Sequence, residues 1–282
     1  MRSPGLTILS LLLAFAACRC PGEAPTAHGF VPPSDSVQLP IADRPWAAQA
    51  PDEGWCGEAS IQMVALHFGA WFPQEAINKA GKPKHPDLWE DEIPVALSEL
   101  GLQYIQWIPP QRDAGAPRDE FLAWIVEGVR RGHPVIVGAK IFPTEHPEWD
   151  VDHLMPVVGF SPERLVFNTN GRAKQLGLPY DALAKKAGIS FVSPSGRLWG
   201  FEVEGFRREP GALPVSLRVV AESPSELELE VRVSGLAPGR RYVLERKGED
   251  GLEEKRELTA QASEESLREK VQPGAIARFE AR

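Results

Sequence analysis

From Trp55 the apolar positions recur at the three-to-four-residue spacing of a helix: Ala59, Ile61, Met63, Val64, Leu66 and Phe68, stopped at Gly69. Gln74 to Ala80 repeats the pattern briefly before Gly81 and Pro83. Asp87-Leu-Trp-Glu90 reads as an N-cap with its glutamate three residues on, opening a helix through Ile93, Val95, Leu97 and Leu100 to Gly101. Asp119 to Arg131 is predicted as another amphipathic helix, with Phe121, Leu122, Trp124, Ile125 and Val129 inside. The period then shortens. Pro134 to Ala139, His153 to Phe160 and Leu165 to Asn168 read as buried strands, followed by a short helix over Tyr180 to Ala187 and a strand over Leu198 to Val203. Helices first and strands later predict an α+β body rather than alternating βαβ units.

Pro210, Gly211 and Pro214 mark a change of texture. Glu226 to Val233 alternates strictly between polar and apolar residues, as a half-buried antiparallel strand does, and Val215 to Val220 and Arg240 to Arg246 read as further strands. Gly235 to Tyr242 (G-L-A-P-G-R-R-Y) resembles the turn and tyrosine of fibronectin type III and immunoglobulin-like sandwiches. About 70 residues are few for such a module, so a small, truncated β-sandwich is expected, with a protein or glycan as its partner.

The amino-terminal stretch differs from both. Met1 to Ala17 has one early cation, Arg2, and an apolar run from Leu6, too short for the roughly 20 residues of a membrane span but suited to a secretory signal. Its end, Phe15-Ala-Ala-Cys18, resembles a lipobox in which Cys18 becomes the lipid-bearing residue; cleavage after Ala16 is the alternative. Seven prolines between Pro21 and Pro51 read as a tether. The expected organisation is a signal over 1–17, a tether over 18–42, a body over 43–210 and the β module over 211–282. The protein is expected to be exported and held in a bacterial cell envelope by its lipid.

Composition narrows the function classes. Thirty-nine acidic residues against 31 Lys and Arg give a net charge of −8 over 282 residues, which argues against nucleic acid as a partner. Three cysteines cannot form a disulfide framework, since one is left over. Cys18 and Cys20 lie near the signal; Cys56 opens the first long helix within Gly54-Trp55-Cys56-Gly57-Glu58-Ala59-Ser60. There, free backbone N–H groups and the positive end of the helix dipole favour a thiolate and an oxyanion pocket. Gly57 would let a substrate backbone approach, and Trp55 would form a wall of the cleft.

A thiol nucleophile needs a base and the base an orienter. His67 lies on the same helix but about 16 Å away at 1.5 Å per residue. His28 and His85 are in loops, His133 precedes a strand, and His146 lies in the loop before the next one. His153 opens an apolar strand, and Asn168 ends its neighbour fifteen residues on, so a hairpin could place the two side by side. Each residue also has a plainer reading: Cys56 as a small buried hydrophobe, His153 as a satisfied half-buried histidine, Asn168 as turn chemistry in N-T-N-G. The run Glu145 to His153 is dense in possible metal ligands but lacks a recognised ligand spacing. Asp152 is expected at the substrate rim. No phosphate-binding glycine loop is present and no cofactor is expected.

The order W-C-G-E-A-S, G-L-x-Y at a strand start, R-G-H-P-V-I-V, H-x5-G-F and a strand ending N-T-N-G resembles the papain-like cysteine peptidases, in the branch of the bacteriocin-leader (double-glycine) peptidase domain. The resemblance covers about Asp43 to Phe206. It implies Cys56 as nucleophile, His153 as base and then acid, Asn168 as orienter, and Gln49 as oxyanion donor, although Gln49 lies seven residues upstream rather than the usual six. Asn168 stands where the leader-peptidase branch prefers Asp, and there is no transporter membrane domain. The expected activity is thiol hydrolysis of a peptide or amide bond. The alternatives are acyl transfer to an amine by the same triad, or a non-catalytic surface-binding lipoprotein.

Overall fold

The computed structural model describes residues 29–42, 55–109, 117–170, 175–185, 188–192 and 195–282. In chain order these form β1 (Val37–Gln38), α1 (Cys56–His67), β2 (Ala70–Trp71), α2 (Gln74–Gly81), α3 (Ile93–Glu99), β3 (Leu102–Gln106), α4 (Pro117–Arg130), β4 (Val135–Ala139), β5 (His153–Phe160), β6 (Arg164–Phe167) and β7 (Leu176–Pro179). A 3-10 turn (Ala182–Ala184) and β8 (Gly200–Phe206) complete the body, and β9 (Val215–Glu222), β10 (Leu227–Ser234), β11 (Arg241–Gly248), β12 (Gly251–Thr259), β13 (Glu264–Val271) and β14 (Ala277–Ala281) follow. The fold is α+β, with four α-helices among the described residues and antiparallel strand pairing.

Helix α1 is buried on every side from Gly57 to Leu66. Even its polar Glu58, Ser60 and Gln62 are buried beside Ile61, Met63, Val64, Ala65 and Leu66, so it is a central helix rather than a surface one. One side packs on β5, where Ser60 Oγ lies 2.7 Å from Cys56 O and 3.1 Å from Leu154 O, sharing its one proton between them. The body sheet runs β3-β8-β4-β5-β6-β7, with β1 on the last two residues of β5. Strands β4, β5 and β8 are buried almost throughout; β4 and most of β5 accordingly read as continuous apolar runs, while β8 also carries Glu202 and Glu204.

Two expected elements are corrected. The helix opening at Asp87 begins only at Ile93, and Glu92 rather than Glu90 reaches back, accepting from the N–H groups of Trp89 (2.9 Å) and Lys84 (2.8 Å). Glu90 instead pairs with Arg197 at 2.5 Å. The helix expected over Tyr180 to Ala187 is a single 3-10 turn, with residues 186 and 187 outside the described set.

The β module is a sandwich of a three-stranded sheet, β13-β10-β9, and a four-stranded one, β12-β11-β14-β2. The fourth strand comes from the body: Ala70 and Trp71 pair with Arg278 and Ala277. Trp71 is fully buried among Leu229, Val231, Leu244 and Phe279, and its indole donates to Pro273 O at 3.1 Å. A boundary near residue 211 therefore does not separate two self-sufficient units. Gly69 makes the junction possible. Its φ of +83° is left-handed, its carbonyl accepts from Phe279 N–H at 2.8 Å, and an added Cβ would meet Val215 Cβ at 3.0 Å. Tyr242 at the sandwich turn accepts from Ala237 N–H at 2.8 Å. No helix among the described residues is long and apolar enough to cross a membrane.

Candidate active site around Cys56 and His153

Cys56 is the first residue of α1. The preceding Trp55 adopts a left-handed conformation (φ 31°, ψ 40°), which costs a non-glycine residue roughly 1–3 kcal/mol, and its buried indole Nε1 has no partner. No side chain caps the helix. The sulfur faces the start of β5 and receives the Leu154 N–H at 3.4 Å. The first residue of α1 and the first two of β5 are thus in contact, and His153 shares a peptide bond with the N–H that touches the thiol.

Electrostatics do not favour the thiolate expected from the helix start. Burial pushes the Cys56 thiol up to about 12, with the Glu58 and Asp87 carboxylates pushing the same way and the Leu154 and Gly57 N–H groups opposing. That rise amounts to about 4 kcal/mol, more than the roughly 2 kcal/mol upper range of a helix dipole. Burial likewise brings His153 down to about 4, against the opposing charge of Asp152. At neutral pH the two groups stand as a neutral thiol and a neutral imidazole.

The partner of His153 is Thr169, whose Oγ1 lies 2.8 Å from Nε2. Asn168 does not orient the imidazole. It is fully buried, its Nδ2 donates to Ile41 O (3.2 Å) and Ala42 O (3.1 Å), and its Oδ1 accepts from Gln175 at 2.8 Å. The amide staples the segment before residue 43 to the end of β6. Side chains alternate sides along an extended chain, and the next residue, Thr169, reaches His153 instead.

Two expected cleft residues are also corrected. An added Cβ on Gly57 would meet Ile93 Cδ1 at 2.9 Å and Leu88 O at 3.2 Å, so the glycine is required by packing inside the protein, not by a substrate. Asp152 is not at a rim: its carboxylate pairs with the equally buried Lys140 at 3.0 Å and accepts from the N–H groups of Ile141 (2.6 Å) and Phe142 (3.1 Å). It closes the loop between β4 and β5 immediately before His153. Lys140 Nζ also donates to His146 O. Gln49, proposed as oxyanion donor, and Cys18, the lipidation candidate, lie outside the described residues. Among the described residues no three His, Cys, Asp or Glu side chains converge as a metal ion requires.

Three contributors were not singled out in the sequence. Thr169 was hidden inside N-T-N-G, read as a turn. Ser60 stands four residues after Cys56, the spacing at which a serine bonds back to a helix carbonyl. Glu58 is fully buried two residues from the thiol; its Oε1 accepts from Asn78 Nδ2 (2.8 Å) and Leu88 N–H (2.9 Å), and its Oε2 has no partner. Burial raises its carboxyl to about 7. A glutamate one position beyond C-G, in a helix otherwise rich in apolar residues, was the available signal. Comparison with protein-family models, with curated proteins and with solved structures finds no match to this chain.

Proposed function

We propose that this chain is an exported thiol hydrolase of papain-like organisation, cleaving a peptide or amide bond with Cys56 as nucleophile and His153 as its base. The observation that carries the reading is the convergence of the first residue of α1 on the start of β5, with Leu154 N–H 3.4 Å from Cys56 Sγ. Thr169 replaces Asn168 as the positioning residue: with its oxygen accepting from Nε2–H, the His153 tautomer has Nδ1 free to take a proton. The thiol proton passes to that nitrogen as sulfur attacks the substrate carbonyl. The uncapped N–H at the start of α1 stabilises the oxyanion, with the Gln49 amide as second donor, and His153 protonates the leaving amine. Water then releases the thioester, with His153 again the base; an amine in its place would give acyl transfer. The amino-terminal signal and a lipid on Cys18 would hold the enzyme in the cell envelope.

A second reading has a specific observation in its favour. The raised thiol and the lowered imidazole leave both groups neutral at pH 7 in the free protein, as suits a binding protein built on the same body. Alkylation separates the two. With an iodoacetamide probe at pH 6 and the adduct mapped by mass spectrometry, labelling of Cys56 faster than a free thiol, lost in His153→Ala, would show that His153 takes the thiol proton against the raised thiol and lowered imidazole of the free protein. Labelling no faster than a free thiol leaves the binding reading.

A further inference from the structure

Strand β8 ends at Phe206, and the Arg207-Arg208-Glu209 segment that follows runs along the seam between the body and the β module. With Lys247 of β11 and Arg278 and Glu280 of β14 it lines a cavity of about 160 Å³. The guanidinium of Arg278 lies 3.9 Å from the centre of the Phe206 ring and pairs with Glu280 at 2.9 Å, yet its Nε is buried without a partner. Lys247 uses the other oxygen of the same Glu280, at 2.6 Å. Arg207 and Arg208 form no ion pair with any described residue.

Four cations and two carboxylates face one small space, in a chain whose net charge is −8. The carbonyl end of α1, at Phe68, contributes about half a negative charge, too little to offset the excess of two positive charges. Burial lowers Arg278, which marks a guanidinium that has lost water without gaining a full set of acceptors.

We propose that the seam cavity binds a small oxyanion: inorganic phosphate or the phosphate group of a monoester. Forked guanidinium donors match the tetrahedral oxygens in pairs, and the volume is sufficient for a phosphate group. Occupancy would tie Arg207 and Arg208 of the body to Lys247 and Arg278 of the β module. The site stands at the opposite end of α1 from Cys56 and does not depend on that residue's chemistry.

Calorimetric titration of the full chain with inorganic phosphate at low ionic strength tests this. Saturable binding of one equivalent is expected, with a melting midpoint raised by about 5 °C at a hundredfold excess over Kd. Arg207→Gln/Arg208→Gln, both exposed positions, is expected to weaken binding at least tenfold with the phosphate-free midpoint unchanged. Parallel titrations with glycerol 3-phosphate and vesicles containing phosphatidic acid separate a soluble ester from a lipid headgroup; loss of either in the double variant supports the site. Non-saturable uptake of phosphate, or equal affinity in the double variant, overturns it.

Discussion

Thr169 Oγ1 and His153 Nε2 are 2.8 Å apart, so the hydroxyl at the end of β6 fixes the imidazole that opens β5. Thr169→Val keeps the shape and removes the hydrogen bond. The alkylation rate of Cys56 is expected to fall about tenfold while the melting midpoint stays within a few degrees, since one hydrogen bond contributes about 1 kcal/mol. Asn168→Ala is expected to do the reverse. It leaves Ala42 O without its donor and reduces the Gln175 amide and Ile41 O to the 3.4 Å bond between them, at a cost of about 1–3 kcal/mol of stability, and preserves the reactivity of Cys56.

Glu58 and His153 give stability opposite pH slopes over nearly the same window. The carboxyl of Glu58 is raised to about 7, so its contribution is complete below its unfolded value near 4.5 and is lost as pH rises through 7. The imidazole of His153 is lowered to about 4, so its contribution is complete above 6.5 and is lost as pH falls through 4. The two trends offset one another in the parent protein. Glu58→Gln is therefore expected to raise stability at pH 8 by about 1–3 kcal/mol, with little effect at pH 4.5, in urea unfolding at both values. A Glu58→Gln curve parallel to the parent's would contradict the raised carboxyl.

The Lys140–Asp152 pair is buried, with 3% and 1% of the side chains exposed, and it closes the loop leading to His153. Removing one partner leaves a charge without its counterion. Asp152→Ala is expected to cost about 3–5 kcal/mol, and the double variant Lys140→Met/Asp152→Leu to recover most of that loss. Denaturation midpoints of the two variants and the parent measure the difference. Equal losses in the single and double variants would show that the backbone N–H groups of Ile141 and Phe142, rather than Lys140, are the important partners of the carboxylate.

Elements with an unbroken pattern were legible in the sequence. Strand β5 spans His153 to Phe160 as expected, α1 ends at His67, two residues before the expected stop at Gly69, and α4 differs from its expected bounds by a residue or two. Pattern failed where one residue had two possible partners. Glu90 and Glu92 both stand near the start of α3, and only Arg197, distant in sequence, decides that Glu90 turns away. Asn168 and Thr169 are adjacent hydrogen-bonding residues, and the choice between them rests on strand pairing that no local spacing encodes. Strand β2 is two residues long, below the length at which alternation can be seen. Cys56 and His153 could be singled out because each sits at the first residue of a strongly patterned element.

The β module is expected to fail as an isolated fragment. A chain beginning at residue 211 lacks Ala70 and Trp71, leaving β14 as an unpaired edge and a hole where the Trp71 side chain lies. Circular dichroism of that fragment should show no cooperative melting, and Trp71→Ala in the full chain should cost about 3–5 kcal/mol. A fragment that melts cooperatively would show that β2 is dispensable.

The pairing of Ala70 with Arg278 joins positions roughly two hundred residues apart, and so it can form only after all the residues between them have been made. A truncation that removes β14 leaves the amino-terminal body with an exposed Trp71 and an unmatched strand, the features by which chaperones and proteases recognise an unfinished protein. Strand β14 thereby acts as a seal on the body: a thiol at one end of α1 is housed in a finished structure only when β14 has closed on the other.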